Sequence, residues 1–308
     1  MQNTLLYLVT VLIWGSTWIA IEFQLGDVAI EASLFYRFAL SAVLMWLFCW
    51  WRRLPMRFSP TDHGFIALLA ILNFALNYLL IYQAQQHLTS AMAAIAFTTM
   101  LLMNIINTRL FFGNPVAKRI YFGALMGIAG IAVLFYPDLD GLDLTNASLL
   151  GLLLVLGSAL SASLGNMVSV RNSRAGLPIM QVNAWGMLYG SIALALLVWL
   201  SGKPFGFSTS PSFILSLLYL AVFGSVIAFA TYFALLKRMG PEKASYVIVL
   251  FPLVAVVLST LFEGFVWTGY TFAGFALVLA GNALVLTPFA KIKALLFKPK
   301  LPVQPILP

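Results

Sequence analysis

The sequence predicts an all-α integral membrane protein: ten transmembrane helices forming two inverted-topology five-helix repeats (5+5). Three observations carry this reading. Of 308 residues, 62% are apolar and 8% charged, with a mean hydropathy of +0.99, whereas a soluble domain carries about a quarter charged residues. Ten apolar stretches are each long enough for the roughly 20 residues that a bilayer core about 30 Å thick demands. The two halves also resemble each other without gaps, at an offset of 151 from span 3 to span 5. A disulfide scaffold is excluded, because Cys49 is the sole cysteine.

The spans are expected at 3–22, 31–51, 64–86, 89–112, 119–137, 148–170, 178–200, 212–236, 242–262 and 267–289. Breaks fall at turn-forming or charged clusters, among them Gly26-Asp27, Gly113-Asn114-Pro115 and Gly240-Pro241. The first stretch lacks the basic flank of a signal peptide and reads as a retained span. Every Lys and Arg except Arg37 and Lys203 lies at an even-numbered junction, at the same end of span 4, or in the tail. Glu22, Asp27, Glu31, Asp138, Asp140, Asp143 and Glu263 gather at the odd-numbered ones. By the positive-inside rule both termini are cytoplasmic. The net charge of +8 therefore marks membrane orientation, and nucleic acid is not an expected partner.

In the repeat, Leu110-Phe111-Phe112-Gly113 falls on Leu261-Phe262-Glu263-Gly264, Gly123 on Gly274 and Gly130 on Gly281. An odd number of spans per half makes the second enter from the opposite side, a plan of secondary transporters with substrate held at the repeat interface. The domains are 1–140, 146–290 and a cytoplasmic tail, 291–308, whose prolines and lysines suit a disordered end near the lipid surface.

Particular residues resemble a family. Trp14-Gly15-Ser16-Thr17-Trp18 is similar to its WGS-x-W signature, and Tyr36-Arg37-Phe38 to its Arg-Phe pair. Phe251-Pro252, Glu263-Gly264 and Gly274 resemble its P…E…G pattern. The chain is identified as a member of the drug/metabolite transporter superfamily, EamA type, with a layout most similar to the aromatic amino-acid exporters of the YddG kind. Leu101 and Phe112 stand where the first half would repeat the proline and glutamate. The resemblance implies outward transport of aromatic and other neutral amino acids by alternating access.

Catalysis finds no support. His63 and His87 are not spaced from carboxylates or cysteine as a metal or nucleophile site requires, Walker-type patterns are absent, and no cofactor is expected. Arg37 lies about six residues, on the order of 9 Å, inside span 2. A charge there pairs or faces water: it either attracts a substrate carboxylate or pairs with Glu22 or Glu31, and the nearness of both glutamates favours pairing. In span 3, Asn73/Asn77 and Tyr78/Tyr82 point about 140° apart on an α-helix, so both pairs are not expected in one narrow cavity. Under the repeat, Asn73 and Asn77 fall on Gly224 and Ala228, which suits close packing. Tyr78 and Tyr82 fall on Phe229 and Phe233, an aromatic stripe that is either packing or a cavity wall. Trp14 is the candidate tryptophan for substrate contact. Pro252 cannot donate to the Ile248 carbonyl, which leaves either a plain kink or a carbonyl free for an ammonium group.

The expectation is thus a carrier whose partners are amino acids and the lipid bilayer, working as a monomer, with higher oligomers left open, in a bacterial-type inner membrane. With no carboxylate at midplane, facilitated export is favoured over proton coupling. A phosphorylated-substrate exchanger would need several cavity Lys or Arg. A cationic-drug exporter would want a buried carboxylate or an aromatic cage, and of these the aromatics are present and the carboxylate is not. An exporter of drugs or other metabolites, and a membrane protein that transports nothing, are the remaining alternatives.

Overall fold

The structure is a computed structural model describing residues 2–26, 28–113, 115, 117–138, 147–239 and 246–287. In chain order the spans are α1 (Gln2–Glu22), α2 (Ile30–Trp51), α3 (Pro60–Gln85), α4 (Ser90–Phe112), α5 (Lys118–Phe135), α6 (Ala147–Arg174) and α7 (Ile179–Leu200). They continue with α8 (Pro211–Tyr219, Leu220–Ile227 and Ala228–Met239), α9 (Tyr246–Phe262) and α10 (Gly269–Leu286). Among the described residues nine helices are long and apolar enough to cross a membrane, and Val247–Phe262 is a shorter tenth. These match the expected spans to within a few residues. The expected tail and the charges at Asp140, Asp143 and Lys243 lie outside the described residues.

Packing follows the repeat. α2 lies on α7, α4 on α9 and α5 on α10, so these three pairs of repeat-related spans meet each other. α1 packs on α9 and α8, and α6 packs on α4 and α3, the same relation with the halves exchanged. The repeat extends to backbone detail. Gly113 and its counterpart Gly264 end α4 and α9 with φ of +70° and +67°, a left-handed turn open to glycine at no steric cost.

The repeat-related glycines make the tightest crossing. A Cβ on Gly130 would stand 2.7 Å from the Gly274 carbonyl oxygen, and one on Gly123 2.6 Å from that of Gly281. The reversed order of these contacts shows that α5 and α10 run antiparallel. Gly127, between them, would meet only Leu102 Cδ1 at 3.7 Å. Gly130→Ala should therefore lower stability by about 1–3 kcal/mol, the usual cost of forcing atoms into a packed interface, while Gly127→Ala should leave the melting temperature unchanged. Scanning fluorimetry of the two purified variants checks this, and equal melting would refute the assigned crossing.

Two spans depart from the α-helix at matching places. Ile71–Leu76 in α3 and Leu220–Ile227 in α8 are π-helical, and the offset of 151 carries one onto the other. A π turn loosens the carbonyl ladder, and hydroxyls attend to the loosened groups. Ser161 of α6 donates to the Leu72 carbonyl at 2.7 Å, and Ser225 to that of Leu220 at 3.0 Å. α4 also breaks, at Thr98-Thr99, where each threonine hydroxyl turns back to a carbonyl three residues earlier. Leu12, Val43, Leu125 and Ile128 are exposed on the outside of the bundle, as a surface facing lipid requires.

Candidate functional site

Between the halves lies a cavity of about 840 Å³, within the size range of small-molecule sites. It extends from Trp18 and Phe251 in the interior to the exposed residues Pro115 and Ser173. It therefore opens at the end of the bundle carrying Lys118, Arg171 and Arg174. The opposite end, which holds Glu22, Glu31 and Glu263, is closed.

The WGS-x-W signature owes its density to its neighbours on α4, α8 and α9. Trp14 lines the cavity, with ring centroids 5.8 Å from Phe229 and 4.9 Å from Tyr232. Gly15 admits α9, since a Cβ there would lie 2.8 Å from the Phe251 carbonyl oxygen. The Ser16 hydroxyl is 2.6 Å from that of Tyr219. Thr17 faces Gly224, where a Cβ would meet its methyl at 2.8 Å. Trp18 stacks on Phe251 at 5.9 Å and meets Phe97 edge-on at 5.4 Å, and these three rings roof the cavity.

Beyond the roof a carboxylate joins the halves. Glu263 follows α9 and accepts from the Ser90 backbone N–H at 3.1 Å to each oxygen, from the Ser90 hydroxyl at 2.6 Å, and from the Ser259 hydroxyl. It thus sits on the first N–H of α4, where a helix end favours negative charge. Nearby, Gln85 donates to the Trp18 carbonyl at 3.0 Å, and Gln24 of the α1–α2 junction donates to the Phe213 carbonyl at 2.9 Å.

The expected pairing of Arg37 is overturned. Glu31 is held by Lys203 at 2.8 Å, and among the described residues no carboxylate forms an ion pair with Arg37. Its guanidinium lies 4.5 Å from the Tyr78 ring centroid, donates to the Tyr82 hydroxyl at 3.4 Å, and is 1% exposed. A cation–π contact replaces the carboxylate because the rings of α3, rather than the end of α1, face this point of α2.

The two faces of span 3 also need correction. Asn73, Asn77 and Tyr78 all line the cavity. A π turn brings residues five apart onto neighbouring positions, so Asn73 and Tyr78 come closer than an α-helix would place them. Asn77 still ties α3 to α6 by accepting from the Ser158 hydroxyl at 2.6 Å. Phe229 is in the wall, whereas Tyr82, Arg37 and Pro252 are not among its lining residues. Ile248, whose carbonyl Pro252 cannot serve, does line the cavity. The side chain of Phe233 lies outside the described residues.

Sequence reasoning missed several polar lining residues, chief among them Asn104, Asn166, Asn183 and Arg119. Asn166 donates to Asn104 at 3.2 Å. Polar amides in apolar spans 4, 6 and 7 were a usable signal. Arg119 was hidden among the charges that mark orientation. Among the described residues the lining contains no aspartate or glutamate and one charged residue, Arg119.

A bundle of inverted repeats around a cavity open at one end, with no grouping of three or more metal-ligating side chains among the described residues, defines a membrane carrier. The EamA-like transporter family matches residues 3–136 and again 149–287, and the chain belongs to that family: it is a membrane transporter and not an enzyme. It is similar to protein PagO of Salmonella typhimurium, 27% identical over 85% of this chain and 85% of PagO. The uncharacterized inner membrane transporter YedA of Escherichia coli K12 is 30% identical over 81% of this chain and 79% of its own. A crystal structure shares the fold, with a TM-score of 0.68 at 20% identity, covering 92% of this chain and 96% of that one.

Proposed function

We infer that the protein exports amino acids, aromatic and other neutral ones, by alternating access across a bacterial inner membrane. The observation that carries this is the cavity's composition. Trp14, Trp18, Phe97, Phe229 and Phe251 offer an apolar aromatic enclosure, and Asn73, Asn77 and Asn104 supply donors and acceptors beside it. Such a wall accepts a varied apolar side chain and a polar head. Among the described lining residues a cationic drug finds no carboxylate and a phosphorylated substrate no cluster of cations. The basic residues at the open end make it the cytoplasmic one, the side from which an exporter loads.

The test is efflux from proteoliposomes holding this protein alone. Labelled phenylalanine, tryptophan and leucine should leave saturably and faster than from empty vesicles. An imposed pH gradient should change the rate little, because among the described residues no carboxylate lines the cavity. Absence of flux for every amino acid, beside transport of a cationic dye, would replace this reading with that of a drug exporter.

A further inference from the structure

Arg119 does more than mark orientation. It stands in the first turn of α5, in the cavity wall, and its Nε and Nη1 atoms are buried with no hydrogen-bond partner. Asn183, near the start of α7, lines the same cavity and is 6% exposed, and its Nδ2 is also buried without a partner. Among the described residues the ion pairs are Arg171–Asp62 and Lys203–Glu31, so neither answers Arg119. Buried donors in folded proteins are satisfied, and exceptions call for a ligand or water.

Among the described residues, the buried unanswered atoms at this end of the cavity are thus donors. The unpartnered acceptor of the lining, Asn73 Oδ1, belongs to the π segment far inside α3, where Gly165 leaves room for its amide. Counted along the helices, the two levels are more than about 10 Å apart, too far for one amino-acid head to bridge. The aromatic roof lies deeper still.

The geometry points to a carboxylate-recognising site at the cavity mouth, formed by Arg119 and Asn183 and separate from the deep aromatic site. It rests on the reading of the protein as an amino-acid carrier and adds the part of the substrate that is selected first. A guanidinium and an amide N–H offer charge-assisted hydrogen bonds to an anion. Among the described residues no lining carboxylate cancels that attraction. A substrate without a carboxylate gains nothing at this level.

Three probes separate the possibilities: phenylalanine, phenylalaninamide, which has no carboxylate, and 3-phenylpropionate, which has no ammonium group. Their binding to purified protein is read by thermal shift titration. Arg119→Gln should weaken phenylalanine and 3-phenylpropionate about tenfold or more, the scale of one lost charge-assisted bond, and leave phenylalaninamide unchanged. Arg119→Lys should restore part of the loss, and added salt should weaken carboxylate binding in the parent more than in Arg119→Gln. An unchanged melting temperature without ligand confirms that the variants fold. Should either variant be unstable, Asn183→Ala takes its place, with the same selective loss expected. If phenylalanine binds and Arg119→Gln affects it no more than phenylalaninamide, the mouth site is wrong and the carrier reading stands. If the parent responds to none of the three, both fall.

Discussion

Replacing Glu263 with alanine should open the closed end of the cavity. The carboxylate holds the Ser90 N–H, the Ser90 hydroxyl and the Ser259 hydroxyl, joining α9 to the start of α4. Hydrogen bonds to a charged group are worth about 1.5–3 kcal/mol each, and a buried donor left alone adds its desolvation cost. Moving a two-state equilibrium from 1:99 to 99:1 takes about 5.5 kcal/mol, so losing this cluster is enough to redistribute the two states. Ile21 lines the cavity near the roof and is 3% exposed. In a Cys49→Ala background, Ile21→Cys should resist an impermeant thiol reagent applied from the acidic end while Glu263 is present. Adding Glu263→Ala should raise that labelling rate by tenfold or more, on the order expected for about 1.4 kcal/mol or above. Equal labelling in the two backgrounds would show that the closure does not depend on Glu263.

Tyr78→Ala should cost both stability and selectivity, because the ring has two duties. One face covers the Arg37 guanidinium at 4.5 Å, and an edge-on contact at 5.0 Å joins it to Phe38. A desolvated cation–π contact is worth about 2 kcal/mol, and an aromatic pair about 0.5–1.5 kcal/mol. Removing the ring uncovers a buried cation to the cavity and enlarges the aromatic enclosure. The melting temperature should fall, and efflux of phenylalanine and tryptophan should drop about tenfold, with a smaller loss for threonine. Tyr78→Phe keeps the ring and should retain most of both properties. A Tyr78→Ala protein with parental melting and uniform losses across substrates would remove Tyr78 from both roles.

The span count, the repeat and the glycine crossing were legible because each rests on a property that is local or periodic. Gly123, Gly130, Gly274 and Gly281 stand at one offset in the sequence, and the same four atoms' worth of missing side chain lets α5 and α10 touch backbone to backbone. The signature from Trp14 to Trp18 was visible as a motif, but its neighbours were not, since they lie on α8, α9 and the middle of α4. Arg119 escaped notice for a related reason. A basic residue at a helix start serves orientation by its charge and substrate contact by its direction, and only the first is written in the sequence.

By itself the sequence determined that the chain spans a membrane ten times, in two halves of opposite sense. It also contained the family signature and the polar and aromatic residues of α3. Hydropathy summed over a helix length and a repeated glycine spacing suffice for that, because neither depends on what lies across the bundle. The tertiary structure decided which of those residues share the cavity, what Arg37 touches, and which end is open. Contacts of that kind are the π segment at Ile71–Leu76, steadied by Ser161 from α6, and Glu263 reaching Ser90 from the other half. Each is a contact between distant parts of the chain, and its energy exists only once both helices are in place.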